Sequence, residues 1–376
     1  MNKRETSGLG IFEKDVLEST GPANEPDAAS LRSAEDLIAA GLAAPEERET
    51  LAKLAGTFAV GLSRPLAALI DPGDPADPIA RQFLPDAAEL TVLPEELGDP
   101  IGDAVRSPLE GLVHRHRDRV LLKLINVCPV YCRFCFRREM IGPGKDATLS
   151  AEAVAAAFAY IAEHDEIFEV ILTGGDPFLL SPRRLADVVA RLAAIDHVKV
   201  LRVHTRVPVA EPSLVTNALV DVLRSARQSV YVAVHANHPR ELTPQALAAC
   251  ARLIDAGIPM LSQSVLLRGV NDTVEVLAEL MRSFVAARIK PYYLHHPDLA
   301  RGTSHFRLSV AEGRALVKQL RGHLSGLCQP QYVLDIPGGF GKVPLGPDFV
   351  SDAAEGLRVE DFSGAIHDYP PPPRAF

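Results

Sequence analysis

From residue 120 onward, short apolar runs alternate with longer segments whose apolar residues recur at helical spacing. The seven apolar runs are RVLLKLIN, FEVILTG, VKVLRVHT, SVYVAVHA, IPMLSQSVLL, KPYYLHH and QYVLDIP. Runs this rich in Val, Ile and Leu are typical of strands buried on both faces. Strands that alternate with helices predict right-handed βαβ units and a parallel sheet. Seven strands are one short of a closed eightfold barrel, so we predict an α/β fold with a partial (β/α)6-type TIM barrel of parallel strands.

The two ends of the chain have a different texture. Residues 1–110 contain short helical patterns, such as SAEDLIAAGL, broken by loops rich in Pro, Asp and Gly. We therefore predict a helical N-terminal segment over residues 1–110 and the barrel over residues 111–347. A C-terminal tail is predicted over residues 348–376, and its Pro-rich end HDYPPPPRAF is expected to lie outside the core.

Polar groups collect where the predicted strands end. The groups are three cysteines after the first strand, then TGGDP, HTRVP, HANHP, HHPD and DIPGGFGK, with Gln263 inside the fifth strand. In parallel sheets and barrels the carboxyl ends of the strands form the rim that binds ligands. A single polar loop is usually a solvated turn, but this many in register predict one functional site at the rim.

Composition narrows the function class. A formal net charge of −9 argues against binding to nucleic acid, which requires a basic surface. We expect no membrane span, because no uncharged apolar run reaches 18 residues, and no signal peptide, because the first residues lack an apolar core. The five cysteines, three of them clustered, do not suit a disulfide framework. A reducing, cytoplasmic location is therefore expected.

The clustered cysteines are Cys128, Cys132 and Cys135, at the spacing C-x3-C-x2-C. A structural zinc site requires four ligands, and Cys250 and Cys328 stand outside any partner motif. Thiolates favour iron–sulfur clusters, and three thiolates on a four-iron cluster leave one iron open to an outside ligand. We favour this open cluster over three unrelated buried cysteines.

With Phe134 just before the last cysteine, this spacing resembles that of the radical S-adenosylmethionine superfamily. The resemblance implies a [4Fe–4S] cluster whose open iron is chelated by S-adenosylmethionine. It further implies contacts with the methionine amino group of S-adenosylmethionine for Gly174, Gly175 and Asp176. A Gly-Gly-Asp turn on its own is weak evidence, since most are only tight turns.

Lys342 ends the motif DIPGGFGK. The motif is not a phosphate-binding P-loop, because no Gly stands five residues before Gly341 and no Ser or Thr follows the lysine. The default interpretation of one loop lysine is a solvated charge. A lysine at the mouth of an α/β site can instead bind pyridoxal phosphate as a Schiff base.

Several motifs together resemble one family. They are YCRFCFRR, GGDP, HANHP, QSVLLRGVND, KPYYLHHPDLARGTSHFR, LRGHLSG and DIPGGFGK, and the resemblance runs from about residue 77 to residue 347. The family is that of the lysine 2,3-aminomutases. It implies an isomerase that shifts the α-amino group of lysine to the β-carbon, with pyridoxal phosphate carrying the nitrogen and a 5′-deoxyadenosyl radical abstracting hydrogen.

The resemblance also implies roles for single residues. These are cofactor attachment for Lys342, phosphate binding for Arg115 and Arg119, binding of the substrate carboxylate for Arg137, and binding of the distal ammonium for Asp298 and Asp335. The alternative for Arg115 and Arg119 is an exposed basic turn. The resemblance also implies that His235 and Gln263 line the S-adenosylmethionine site, although either is equally compatible with a polar core position. Two acidic positions favour lysine over glutamate, because desolvated like charges repel.

The chain departs from the family pattern in three places. Thr273 stands where a zinc-binding cysteine is expected, no C-x-C-x-x-C follows residue 347, and His116 and His295 stand at positions of tyrosines. We therefore expect no structural zinc. These changes resemble the shorter relatives that make β-lysine for elongation factor P.

Three alternative functions stay open. They are an enzyme dedicated to the elongation factor P pathway, an aminomutase for glutamate or arginine, and a non-catalytic iron–sulfur electron carrier. As partners we expect the amino acid substrate, a reductant protein such as flavodoxin or ferredoxin, and further copies of the chain in a homo-oligomer.

Overall fold

The computed structural model describes residues 30–142, 147–354 and 356–370. Residues 1–29 of the predicted N-terminal segment and residues 371–376 of the predicted tail lie outside the described residues. The strands are β1 (Leu112–His116), β2 (Arg119–Ile125), β3 (Glu169–Gly174), β4 (Val200–Thr205), β5 (Ser229–His235), β6 (Met260–Val265), β7 (Ile289–His295), β8 (Gln331–Asp335), β9 (Lys342–Pro344), β10 (Val350–Asp352), β11 (Leu357–Glu360) and β12 (Ile366–Tyr369).

The α-helices of the described residues lie before and between these strands. They are α1 (Ala34–Ala39), α2 (Arg48–Thr57), α3 (Arg64–Ala67), α4 (Pro78–Phe83), α5 (Ala151–Glu163), α6 (Pro182–Ala193), α7 (Val207–Ala210), α8 (Asn217–Arg224), α9 (Pro244–Asp255), α10 (Val274–Ala286) and α11 (Val310–Leu320). None of them has the length and apolar character needed to cross a membrane.

Strands β1 to β9 form one sheet in their order along the chain. The seven strands β2 to β8 run parallel to one another, and β1 and β9 pair antiparallel at the two edges. Helices α5, α6, α8, α9, α10 and α11 connect the parallel strands, which makes six βα units. The predicted partial (β/α)6 barrel is confirmed.

Each of these six connecting helices begins with a hydroxyl residue whose side chain accepts a backbone hydrogen bond from the first turn. The caps are Ser150, Ser181, Thr216, Thr243, Thr273 and Ser309. Such a cap satisfies an amide that the helix itself leaves without a partner. The chain therefore fixes locally where each strand-end loop stops and its helix starts.

Side-chain alternation along the strands separates a core from a lumen. On β3, Val170 and Leu172 are fully buried in the main apolar core, whereas Ile171 and Thr173 line a cavity inside the curled sheet. Successive strand residues point to opposite faces, so polar residues such as Thr173, Arg202, His204 and Gln263 reach this cavity. The same alternation that builds the core thus supplies the site.

The N-terminal helices cover the cysteine side of the rim. Their apolar residues, among them Leu66 and Phe83, form a cluster that includes Val130 from the cysteine-bearing loop. The backbone N–H of Arg133 donates to the carbonyl of Gln82 at 2.8 Å. The loop that carries the cysteines is therefore fixed from outside the barrel.

The edge strands were not predicted from the sequence. β1 pairs with β2, and β9 turns back on β8 so that Lys342 lies opposite Asp335. The turn between β8 and β9 requires positive φ at Gly338, Gly339 and Gly341, where a side chain would strain the backbone. Strands of five and three residues are too short to show a clear period.

The predicted C-terminal tail contains a sheet of its own. β10, β11 and β12 pair antiparallel, and this small sheet does not hydrogen-bond to the barrel sheet in the described residues. Most of its side chains are half-buried or exposed, which explains why no apolar run marked it in the sequence.

Gly175 should tolerate no side chain. A Cβ there would lie 2.2 Å from the carbonyl oxygen of Val127, and this backbone cannot move aside as a flexible side chain could. We expect Gly175→Ala to lower the free energy of unfolding of the cofactor-free protein by about 1–3 kcal/mol, measured by urea denaturation. The matched control is Gly56→Ala in α2, where nothing lies within 4 Å of the added atom. That variant should keep or gain stability, and equal losses in both would contradict the expectation.

Candidate active site

A cavity of about 530 Å³ occupies the lumen of the curled sheet. Thirteen of the fourteen site residues predicted from the sequence line it, namely Cys128, Cys132, Cys135, Gly175, Asp176, His235, Gln263, Arg115, Arg119, Arg137, Asp298, Asp335 and Lys342. The fourteenth, Gly174, ends β3 behind the lining, with φ of 109°. Residues spread over more than 200 positions of sequence therefore meet in one space.

The three cysteines converge at the carboxyl end of β2. Burial raises the pKa of all three thiols, that of Cys132 to about 11, and neighbouring thiols add to the rise for Cys128 and Cys132. Three clustered thiols whose ionisation is disfavoured suit a cationic iron centre, which would stabilise their thiolate forms. The residues present thus fit an iron–sulfur cluster.

The Gly-Gly-Asp loop approaches the cysteine loop through its backbone. The N–H of Gly175 donates to the carbonyl of Ile125, and the N–H of Asp176 to that of Val127 at 2.9 Å. The carboxylate of Asp176 is buried and accepts hydrogen bonds from the next strand-end loop, including the hydroxyl of Thr205 at 2.7 Å. Burial raises the pKa of this carboxyl, although those hydrogen bonds oppose the rise.

Two neutral histidines lie deeper in the lumen. Burial holds the pKa values of His204 and His235 well below the usual value, and nearby arginines add to this effect. Gln263 Nε2 lies 3.2 Å from His204 Nε2, and His235 Nε2 lies 3.2 Å from Asn237 Oδ1. Sequence reasoning assigned no role to His204, although it stands in the HTRVP stretch at a strand end.

A cationic wall surrounds one carboxylate that sequence reasoning missed. The fully buried side chain of Asp103 accepts hydrogen bonds from Arg115 and from Arg137, each at 2.9 Å, and Lys123 lies 4.0 Å away. Burial alone would raise the pKa of Asp103, but the three cations outweigh it and hold the pKa below its usual value. Three cations against one anion leave a net positive wall suited to anionic groups.

Arg119, at the start of β2, donates to the exposed carboxylate of Asp118 at 2.8 Å. Arg202 on β4 forms an ion pair with Glu169 on β3 at 3.1 Å. Arg202 also lies 5.6 Å from the ring of Tyr292. Arg119 and Arg202 both line the cavity, so it is bordered by further guanidinium groups besides those of the cationic wall.

The acidic part of the lumen lies beside Lys342. The ammonium of Lys342 donates to the carboxylate of Asp335 and lies 3.3 Å from His295 Nδ1. Burial and the neighbouring Asp335 raise the pKa of Asp298 to about 7, against the pull of Lys342. For Asp335, the contacts with His295 and Lys342 outweigh burial and hold its pKa far below the usual range.

The lumen therefore offers three chemical environments within one cavity. Buried thiols can hold a cluster, a guanidinium wall can bind carboxylate or phosphate, and a carboxylate pair can bind an ammonium. A primary amine, that of Lys342, lies among them. A ligand with an anionic and a cationic end would match this distribution of charge.

Comparisons with known proteins agree with this chemistry. The family described as "Radical SAM superfamily" matches residues 122–281, and that described as "Lysine-2,3-aminomutase" matches residues 317–376. The L-lysine 2,3-aminomutase of Clostridium subterminale is 40% identical over 328 residues, which are 87% of this chain and 78% of the relative. That of Acetoanaerobium sticklandii is 39% identical, over 87% of this chain and 79% of the relative. The glutamate 2,3-aminomutase of Clostridioides difficile is 34% identical, over 85% and 76%.

The raised pKa of Asp298 makes stability depend on pH. A carboxyl that titrates near pH 7 in the folded chain and near 3.8 in the unfolded chain stabilises the fold at low pH. This contribution is lost as the pH rises through that window. We expect the free energy of unfolding of the cofactor-free wild-type protein, relative to that of Asp298→Asn, to fall between about pH 4 and about pH 7. Comparison with this variant cancels the contributions of the histidines, and parallel pH profiles for the two proteins would refute the assignment.

Proposed function

Because this chain belongs to the lysine 2,3-aminomutase family of radical S-adenosylmethionine enzymes, we propose that it is a pyridoxal phosphate-dependent enzyme that converts lysine to β-lysine. The family makes it an isomerase that uses a four-iron cluster and S-adenosylmethionine. A reductant protein such as flavodoxin or ferredoxin, a homo-oligomeric state and a cytoplasmic location stay predictions from the sequence.

The proposal of lysine depends chiefly on the acidic pair in the lumen. Asp298 and Asp335 lie close enough to perturb each other's ionisation, and Lys342 already binds one of them with a lysine-type ammonium. Arg137, on the cationic wall, presents a planar donor fork suited to a carboxylate. Lysine carries a carboxylate at one end and an ammonium at the other, so it matches both.

The residues present also fit pyridoxal phosphate. The Nε of Arg115 is buried without an acceptor among the described residues, although the side chain lines the cavity. Arg115 and Arg119 would bind the phosphate oxygens, and Lys342 offers the amine that such a cofactor needs for attachment. When bound, the cofactor supplies a conjugated ring that stabilises an unpaired electron next to the migrating nitrogen.

The other site residues would bind the cluster, S-adenosylmethionine and the substrate. Cys128, Cys132 and Cys135 would hold three irons of the cluster, and the Gly-Gly-Asp loop with His235 and Gln263 would contact S-adenosylmethionine at the open iron. The position of the cavity inside the curled sheet would limit the access of water to reactive radicals. Asp298 and Asp335 would hold the distal ammonium and so fix which carbon faces the cluster.

Glutamate is the second candidate, since a glutamate 2,3-aminomutase is among the relatives. A glutamate side chain would place a third carboxylate beside Asp298 and Asp335. Desolvated like charges at short range are costly, and no arginine is bound to either aspartate in the described residues. The charge of the pocket therefore favours lysine over glutamate.

Product analysis tests the proposal directly. The anaerobically reconstituted protein, with iron, sulfide, S-adenosylmethionine, pyridoxal phosphate and dithionite, should convert L-lysine to β-lysine, detected by chiral chromatography. Lys342→Ala should keep its iron content and lose β-lysine formation. Cys132→Ser should lose both. A wild-type protein with full cofactor content and no β-lysine would overturn the proposal.

Asp298→Asn separates lysine from other substrates. Loss of one charge from a buried ammonium site costs about 2–5 kcal/mol, so kcat/KM for lysine should fall by about 30-fold or more with unchanged cofactor loading. Glutamate should remain a poor substrate for both proteins. Efficient glutamate turnover by the wild-type protein would favour the second candidate instead.

In the cofactor-free protein, Lys342 should compete with lysine for Asp335. Lys342→Ala frees this carboxylate, so the variant should bind L-lysine about tenfold more tightly than wild type, which corresponds to about 1.4 kcal/mol. Isothermal titration calorimetry without any cofactor measures this gain.

Two matched controls identify the ammonium as the cause of that gain. Lys342→Arg keeps a cation on Asp335 and should bind L-lysine no better than wild type. L-norleucine lacks the distal ammonium and should bind the Ala variant and wild type alike. Equal affinity of the Ala and Arg variants for L-lysine would contradict the competition.

A further inference from the structure

Arg206 touches the sulfur of one cluster cysteine. It follows β4 in the HTRVP stretch, and its Nη1 donates to Cys132 Sγ at 3.3 Å. The guanidinium is buried, and it reduces the rise that burial causes in the pKa of Cys132. Neither the sequence motifs nor the proposed substrate chemistry gave this arginine a role.

The guanidinium is held in place from three sides. Its Nη2 donates to Glu241 and to Gln82 Oε1, the latter at 3.1 Å. The rings of Phe83 and Phe134 lie 4.8 Å and 5.7 Å from its central carbon. A buried, packed guanidinium of this kind cannot turn away from the sulfur without breaking its other contacts.

Its backbone is fixed by the Gly-Gly-Asp loop. The N–H groups of Arg206 and Val207 donate to Asp176 Oδ2, at 2.7 Å and 3.1 Å. On the far side, Glu241 is held by the backbone N–H groups of Asn237 and His238 at 2.8 Å and 3.0 Å. Three loops at the carboxyl ends of neighbouring strands thus position the Nη1–H of Arg206 on the sulfur of Cys132.

An ordinary structural ion pair would look different. Arg133 forms such a pair nearby, where its Nε and Nη2 donate to the two oxygens of Glu89 at 2.9 Å and 2.6 Å. Arg206 gives Glu241 only one nitrogen, and its Nε has no acceptor among the described residues. The guanidinium gives up the paired fork, which is the stronger geometry for a carboxylate, and reaches the sulfur instead.

We propose that Arg206 is a positioning residue for the cluster whose hydrogen bond to Cys132 raises the cluster's reduction potential. Reduction adds negative charge to the cluster and its thiolates, so a hydrogen bond to a ligating sulfur stabilises the reduced form more than the oxidised form. Electron delivery from the reductant to the cluster becomes easier. This inference rests on the family's cluster alone and holds whichever amino acid is the substrate.

The test is the midpoint potential of the reconstituted full-length protein, without S-adenosylmethionine, pyridoxal phosphate or amino acid. The reduced cluster is followed by electron paramagnetic resonance during a mediated dithionite titration. The variant Arg206→Gln with Glu241→Gln removes the charge pair together, so neither group is left buried and unpaired. Its potential should lie below that of wild type, at equal iron content.

A second ion pair, that of Arg202 on β4 with Glu169 on β3, gives the matched control. Arg202→Gln with Glu169→Gln also removes a buried ion pair, but that arginine bonds to no cluster sulfur in the described residues, so the potential should stay at the wild-type value. Arg206→Lys keeps the positive charge but has a shorter side chain, so it should also show a lowered potential. If the double variant does not load iron, this variant should.

A wild-type potential in either iron-loaded Arg206 variant, or an equal fall in the Arg202 control, would overturn the inference. Because no substrate is present, this outcome is independent of whether β-lysine forms.

Discussion

The barrel lumen depends on one buried anion, the carboxylate of Asp103. Arg115, Arg137 and Lys123 all lie within 4.0 Å of it, and without it three cations would face one another in a space with little water. Asp103 comes from the segment before the first strand, whereas its partners come from the barrel. The N-terminal segment is therefore part of the site, since it supplies the countercharge that lets the wall form.

The same constraint explains how charge is distributed across the lumen. With Asp103 partly neutralising the wall, Arg137 remains close enough to lower the pKa of Asp298, yet Asp298 still titrates at about 7 because burial and Asp335 prevail. A ligand with a positive end relieves the acidic side, and one with a negative end satisfies the wall. We therefore expect charge polarity to contribute to the choice of ligand.

Much of this could be read from the sequence. The seven parallel strands and six connecting helices were predictable because period and length are local properties. The positions of Cys128, Cys135 and Lys342 in the lumen were predictable because these residues follow strands that end at one rim. Asp103 and Arg206 were not, since their contacts with Arg137 and Cys132 span 34 and 74 residues and no local pattern encodes such pairs.

Thr273 shows how one position can exchange two kinds of stabilisation. Its hydroxyl accepts the N–H of Val276 and starts α10, at the place where the resemblance led us to expect a metal-binding cysteine. A thiol is a weak hydrogen-bond acceptor, so a cysteine there would be a poor start for this helix. Metal ligation and helix initiation are thus competing uses of the position. With threonine at this position, α10 begins with a hydrogen bond that does not depend on a bound metal.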